Sequence, residues 1–127
     1  MEFIASETRI VRKIGEDLLE IVYYDNAHMT VESARRDIEL YDRFTGNKRY
    51  KKLVIGGMNM QSEVEARKLI ATENARRSKL IIAEAIVLRS KTAKLMGQMY
   101  LFFLKRPYPV KIFSNREDAL KWLEKTV

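Results

Sequence analysis

The stretch that decides the fold is a nearly continuous apolar run, Ile81-Ile82-Ala83-Glu84-Ala85-Ile86-Val87-Leu88-Arg89. Before Arg89 its only polar residue is Glu84. A strand that is apolar at successive positions is buried on both faces, which is typical of parallel sheets covered by helices. The run therefore predicts a central strand. Glu84 is either buried and paired with a cation or located at a strand edge in solvent, and we favour the edge position.

The segments around this strand alternate between strand and helix patterns. Two β-prone runs flank the turn Gly15-Glu16-Asp17 and predict an antiparallel hairpin. Thr30 is placed to cap a first helix that Gly46 ends, and Ser62-Glu63-Val64-Glu65 is a capping box for a second. The predicted order is ββαβαβαβα, with the remaining strands at 52–55 and 110–113 and the remaining helices at 91–105 and from Ser114. We expect one α/β domain over residues 1–127, with a mixed five-stranded sheet and packing helices.

Composition excludes several classes of chemistry. The chain has 127 residues with no Cys and one His, so disulfides, thiol nucleophiles and imidazole metal clusters are excluded. No nucleophile and base occur in a catalytic motif, and we expect no enzyme activity, no metal and no cofactor. The first residues lack a basic region, and the longest apolar stretch, residues 95–104, is about half of a membrane span. We therefore expect a cytoplasmic protein without a membrane span.

The last part of the chain carries distinctive motifs. These are the Ile86–Ser90 strand end, Met96-Gly97, the segment 105–113 with Pro107 and Pro109, and Ala119-Leu120-Lys121-Trp122-Leu123. In this order they resemble STAS-like bacterial proteins with the SpoIIAA-like fold of anti-sigma-factor antagonists. The resemblance spans about residues 8–125 and implies a regulatory domain that binds protein partners. Some related folds bind small apolar or lipid ligands in the manner of CRAL-TRIO domains, which is the alternative function.

One departure from that family concerns phosphorylation. Antagonists that switch partners carry a phosphoacceptor Ser in an Asp-Ser-Ser-Gly turn, whereas the turn here is Gly57-Met58-Asn59-Met60-Gln61-Ser62. Ser62 is the nearest candidate phosphoacceptor. We favour the simpler interpretation that Ser62 caps the following helix.

The predicted helix 91–105 is more apolar than a helix lying on a sheet needs to be. Its apolar residues cover an arc of about 240°, whereas roughly 100–160° is enough. Either neighbouring helices of the same domain bury this excess, or a second subunit, a protein partner or an apolar ligand covers it, and among these occupants we favour a homodimer. Gly97 would permit close approach of another backbone. The candidate face consists of Leu95, Met96, Met99, Tyr100, Phe102 and Phe103.

A net charge of +7 raises the question of nucleic acid. The residues that could form a basic patch, here called the basic segment, are Arg43, Lys48, Arg49, Lys51 and Lys52. No DNA-binding or RNA-binding motif accompanies them, and scattered surface cations normally serve solubility. The sequence therefore predicts a non-enzymatic STAS-like interaction domain, with apolar-ligand binding as the alternative and nucleic-acid binding ranked behind both.

Overall fold

The structure is a computed structural model that describes residues 2–103 and 106–126, without the side chains of residues 99–103. A six-stranded sheet has the spatial order β1 (Phe3–Ala5), β2 (Arg9–Gly15), β3 (Leu18–Tyr23), β5 (Tyr50–Ile55), β7 (Ile81–Val87) and β8 (Val110–Phe113). The first three strands are antiparallel and the others join in parallel. Two short strands, β4 (His28–Met29) and β6 (Gln61–Ser62), pair with each other separately.

The predicted α/β class is confirmed, with one strand more in the main sheet than expected. The five expected strands are β2, β3, β5, β7 and β8. The additional strand β1 pairs antiparallel with β2, with Ile4 opposite Val11. Its three residues are too few to show an alternating pattern, so the sequence contains no signal for it.

In the described part of the chain, four helices cover the sheet: α1 (Val31–Thr45), α2 (Val64–Arg76), α3 (Lys91–Phe103) and α4 (Arg116–Lys125). As predicted, Thr30 caps α1, because its hydroxyl accepts from the Ser33 N–H at 3.1 Å, and α1 ends at Gly46 with φ of +63°. Helix α4 begins after Asn115, whose side-chain oxygen accepts from the Asp118 N–H at 2.9 Å. Helix α1 packs against α2, α3 lies along β8, and α4 crosses β5, β7 and β8.

Two apolar clusters lie on the sheet. One contains Tyr41 of α1 and includes Val11, Leu19, Ile21, Tyr50, Ile81 and Tyr108. The other lies under α4 and consists of Leu53, Ala83, Ala85, Val87, Ala119 and Leu123. The small alanines of β7 let α4 approach closely, and Ala83, Ala85 and Ala119 are completely buried.

The alternation of β7 determines where Glu84 lies. Successive strand residues point to opposite faces, so Glu84 is on the face away from Ala83 and Ala85. That face is covered by α1 and α2, because Glu84 meets Lys52, which contacts Tyr41 of α1 and Asn74 of α2. Glu84 is 4% exposed, so our preference for a solvent-facing edge position was wrong.

Candidate functional site

A cavity of about 460 Å³ lies along helix α2. Among the described residues its apolar lining consists of Tyr23, Met29, Met60, Val64, Ile70 and Ala71. Its polar lining consists of Gln61, Ser62, Arg67, Lys68, Asn74 and Arg106. Small-molecule sites typically measure roughly 300–1,000 Å³, so the cavity is large enough for a ligand.

Helix α2 has two different faces, one packed against α1 and one lining the cavity. Ala66 is completely buried and clusters with Ala34 of α1 and Met29 of β4, so a pair of small residues joins the two helices. The residues at 64, 67, 68, 71 and 74 recur at helical spacing and line the cavity instead. Because the face of α2 that lines the cavity mixes apolar and charged residues, the sequence shows no hydrophobic periodicity that would predict this face.

A buried charged cluster lies behind one end of the cavity. Arg106 donates to Glu84 Oε1 at 2.7 Å, and the Tyr108 hydroxyl donates to the same oxygen at 3.1 Å. Lys52 Nζ lies 3.9 Å from that oxygen and donates to Asn74 Oδ1 at 3.4 Å. Arg106 and Asn74 line the cavity, so they connect it to the cluster.

Burial and neighbouring charges set the protonation of this cluster. Burial alone would raise the pKa of Glu84, but Lys52 and Arg106 outweigh it and lower the pKa below its ordinary value. Burial lowers the pKa of Lys52, and the nearby Arg106 lowers it further, against the opposing effect of Glu84. Burial, together with the Glu84 carboxylate, raises the pKa of Tyr108, which keeps its hydroxyl a donor.

Ser62 lies at the cavity and does not cap α2. The helix begins after Glu63, which makes no side-chain cap, and Ser62 belongs to β6. The capping-box prediction was therefore wrong, because pairing of β6 with β4 holds Ser62 in extended backbone. Arg67 NH1 donates to both Ser62 O and Ser62 Oγ, at 2.9 Å each.

The turn after β5 is held by one glycine and one carboxylate. A Cβ on Gly57 would lie 2.2 Å from the carbonyl oxygen of Tyr24, so only glycine fits this close approach. Asp25 accepts from the Met58 N–H at 2.9 Å and from Arg89 at 2.7 Å. The hydrogen bond from the Met58 N–H contributes most to lowering the pKa of Asp25 below its ordinary value, and the hydrogen bond from Arg89 lowers it further. The sequence at Gly56-Gly57 contains no phosphate-loop motif.

The predicted apolar face of α3 is described only in part. Leu95 and Met96 are 59% and 65% exposed. The side chains of Met99, Tyr100, Phe102 and Phe103 lie outside the described residues. Gly97 does not face another backbone: a Cβ there would lie 2.9 Å from Leu88 Cδ1 and 3.0 Å from Ile112 Cδ1, within the same domain. Gly97 therefore lets α3 approach its own sheet.

The basic segment does not form one patch. Lys52 is 5% exposed and belongs to the cluster with Glu84. Lys51 Nζ donates to the Leu123 carbonyl at 2.7 Å, toward α4, because adjacent strand residues face opposite sides of the sheet. Arg43 is exposed and pairs with Glu39 at 3.0 Å. Lys48 and Arg49 are exposed in the turn before β5.

Within residues 2–103 and 106–126, no helix has both the length and the apolar character needed to cross a bilayer. The same part of the chain brings no three metal-ligating side chains together.

The chain has a SpoIIAA-like fold. It is similar to the crystal structure of an uncharacterized protein from the DUF3478 family, with a SpoIIAA-like fold, from Shewanella loihica PV-4. The TM-score is 0.69 at 17% identity, over 94% of this chain and 98% of that one. The chain itself belongs to the family described as Domain of unknown function (DUF7793), whose model matches residues 12–127. A sequence comparison with curated proteins gives no match.

Proposed function

We propose that this STAS-like domain is a non-catalytic binding module that holds an apolar ligand in the cavity along α2. The observation that carries this proposal is the cavity itself, about 460 Å³ in volume, whose inner surface is mostly apolar although half of its described lining residues are polar. Methionine side chains such as Met29 and Met60 adapt to ligands of varied shape. The cavity lies along α2, whereas the sequence suggested a ligand site under α3.

The hydroxyl at the cavity supports binding rather than catalysis. Ser62 Oγ accepts a hydrogen bond from Arg67, and a guanidinium stays protonated and cannot act as a base. A serine nucleophile needs an adjacent general base to remove its proton. Ser62 is therefore placed to contact a ligand and is not activated to attack one.

The test is binding of an uncharged apolar probe, decanol, measured by isothermal titration calorimetry. We expect wild-type protein to bind decanol, and Ala71→Phe to weaken binding at least tenfold by filling the cavity. Ala75→Phe is the matched control, because Ala75 is also exposed on α2 but does not line the cavity. Absence of decanol binding to wild type, or equal loss in both variants, would contradict the proposal.

A second candidate function is protein interaction, specifically self-association through α3, as part of a regulatory role in the cytoplasm. The specific observation is the exposure of two adjacent large apolar side chains, Leu95 and Met96. Substitutions at such exposed positions change protomer stability by about 0.5 kcal/mol or less. If α3 forms a homodimer interface, Leu95→Asp and Met96→Asp should give folded monomers in light scattering. A wild-type protein that is already monomeric would contradict this candidate.

A further inference from the structure

Two side chains, Arg106 and Asn74, line the end of the cavity next to the sheet, and each makes a hydrogen bond with a residue of the buried cluster. Arg106 is fixed by its 2.7 Å contact with the buried carboxylate of Glu84. Asn74 accepts from Lys52 through Oδ1, which leaves its amide N–H groups as donors. Both side chains line the cavity. A guanidinium has five N–H groups, and the contact with Glu84 uses NH1, so Arg106 has donors for a second acceptor.

The cluster behind these groups carries more positive than negative charge. Lys52 and Arg106 share the one carboxylate of Glu84, at 3.9 Å and 2.7 Å. Tyr108 contributes a hydroxyl hydrogen bond and no charge. Two cations and one anion leave one positive charge in a place where Lys52 and Glu84 are almost inaccessible to water. Arg9 and Arg77 also lie close enough to act on Lys52, but each pairs with its own carboxylate, Asp37 and Asp42, so the excess remains one charge. Uncompensated charge is costly in such surroundings, and a single anion in the cavity would compensate it.

The rest of the cavity suits a hydrocarbon chain. Asn74 and Val64, at the two ends of the lining stripe of α2, are ten positions apart, which is about 15 Å at 1.5 Å per residue. Between these ends lie the apolar Ile70 and Ala71, and Met60 lines the cavity as well. Arg67 and Lys68 also line this stretch, but Arg67 donates to Ser62 and Lys68 pairs with Glu65. The lining is therefore amphipathic along its length, with Arg106 and Asn74 at one end.

We infer that the ligand is a single-chain amphiphile with a carboxylate head group, bound by Arg106 and Asn74, with its chain directed along α2 toward Val64. This inference rests on the proposed function. A planar carboxylate matches the geometry of the N–H groups of a guanidinium. Its single negative charge also balances the one excess positive charge of the buried cluster. Glu84 is a positioning residue here, because it acts on the ligand through Arg106.

The experiment compares three probes with the same chain: decanoate, decanol and decylamine. By calorimetry on the full chain, we expect decanoate to bind at least tenfold tighter than decanol, a difference of about 1.4 kcal/mol. We expect decylamine to bind more weakly than decanol. Decanol binding without a preference for decanoate would overturn this inference and leave the proposed function standing. Failure of all three probes to bind would overturn both.

Two variants locate the head group. Asn74→Asp places a carboxylate at the position of the amide that accepts from Lys52 at 3.4 Å and so supplies the missing negative charge from the protein, so we expect the tenfold preference for decanoate over decanol to disappear. Arg43→Gln is the control, because Arg43 is exposed and away from the cavity lining, and it should keep the preference. A preference that is kept in Asn74→Asp and lost in Arg67→Gln would overturn the assignment, because the head would then lie beside Ser62.

Discussion

Neutralising Glu84 tests whether its carboxylate stabilises the buried cluster by pairing with Arg106 and Lys52. The change is Glu84→Gln, which keeps the size of the side chain and removes its charge. In wild type this carboxylate receives hydrogen bonds from Arg106 at 2.7 Å and Tyr108 at 3.1 Å and lies 3.9 Å from Lys52. Removing one partner of a buried charge pair costs about 3–5 kcal/mol. Because Gln keeps an acceptor oxygen, we expect the lower end, about 3 kcal/mol.

That magnitude is easily measured by thermal or urea unfolding. Unfolding entropy is about 2.1 cal/mol/K per residue near 60 °C. For 127 residues this is roughly 0.27 kcal/mol per degree. A loss of about 3 kcal/mol therefore lowers the Tm by roughly 11 °C.

The pH dependence gives an independent check. The pKa of Glu84 is lowered in the folded protein from its ordinary value of 4.5, so the unfolded chain takes up a proton first as the pH falls. The stability that Glu84 contributes is fully present above that ordinary value and is lost as the pH falls through the folded pKa. The difference between wild type and Glu84→Gln should therefore shrink on acidification in urea titrations.

Glu117→Gln is the matched control. Glu117 is 79% exposed and pairs with Lys121 one helical turn away at 3.4 Å. Exposed pairs of this kind contribute roughly 0.3–0.5 kcal/mol. If Glu84→Gln destabilises the protein no more than Glu117→Gln, or if its effect is independent of pH, our account of the buried cluster is refuted.

Three further predictions concern the turn after β5, Ser62 and the basic segment. Gly57→Ala should destabilise the protein by about 3 kcal/mol in urea unfolding, because its Cβ would meet the Tyr24 carbonyl. The control Gly15→Ala should change the free energy of unfolding by no more than about 0.5 kcal/mol, and equal destabilisation by both variants would contradict the close approach at Gly57. If Ser62 is a phosphoacceptor, intact-mass spectra of protein from the native host should show a phosphorylated fraction that Ser62→Ala abolishes. Arg67 is placed to pair with the phosphate. If no growth state gives a phosphorylated fraction, Ser62 is not a phosphoacceptor. Fluorescence anisotropy at about 50 mM salt should show no binding to mixed nucleic acid, and tight binding that weakens steeply with salt would contradict the dispersed arrangement of the basic segment.

Local patterns were sufficient where neighbouring residues decide the structure. The hairpin around Gly15, the Thr30 cap and the end of α1 at Gly46 depend on turn and capping chemistry within a few positions. The central β7 strand followed from its apolar run. The start of α2 was predicted wrongly because the same serine that fits a capping box is held in β6 by pairing with distant β4.

The site itself depends on contacts between distant segments. Arg106 and Glu84 are 22 residues apart, and Lys52 and Asn74 are also 22 apart. In the sequence Lys52 looked like one more surface cation, and Glu84 like an edge residue. No local spacing brings these groups together, because the parallel register of β5, β7 and β8 and the packing of α2 determine which side chains meet.

By itself, the sequence determined the α/β class, the order of its main elements and the absence of cysteine chemistry, because these depend on composition and on short-range periodicity. Only the tertiary structure decided that Lys52 and Glu84 are buried together, that Ser62 faces a cavity and that Gly97 serves the domain's own packing. The physical reason is that strand alternation assigns each side chain to a face, while the helices packed on that face determine whether it meets water, an ion or a ligand.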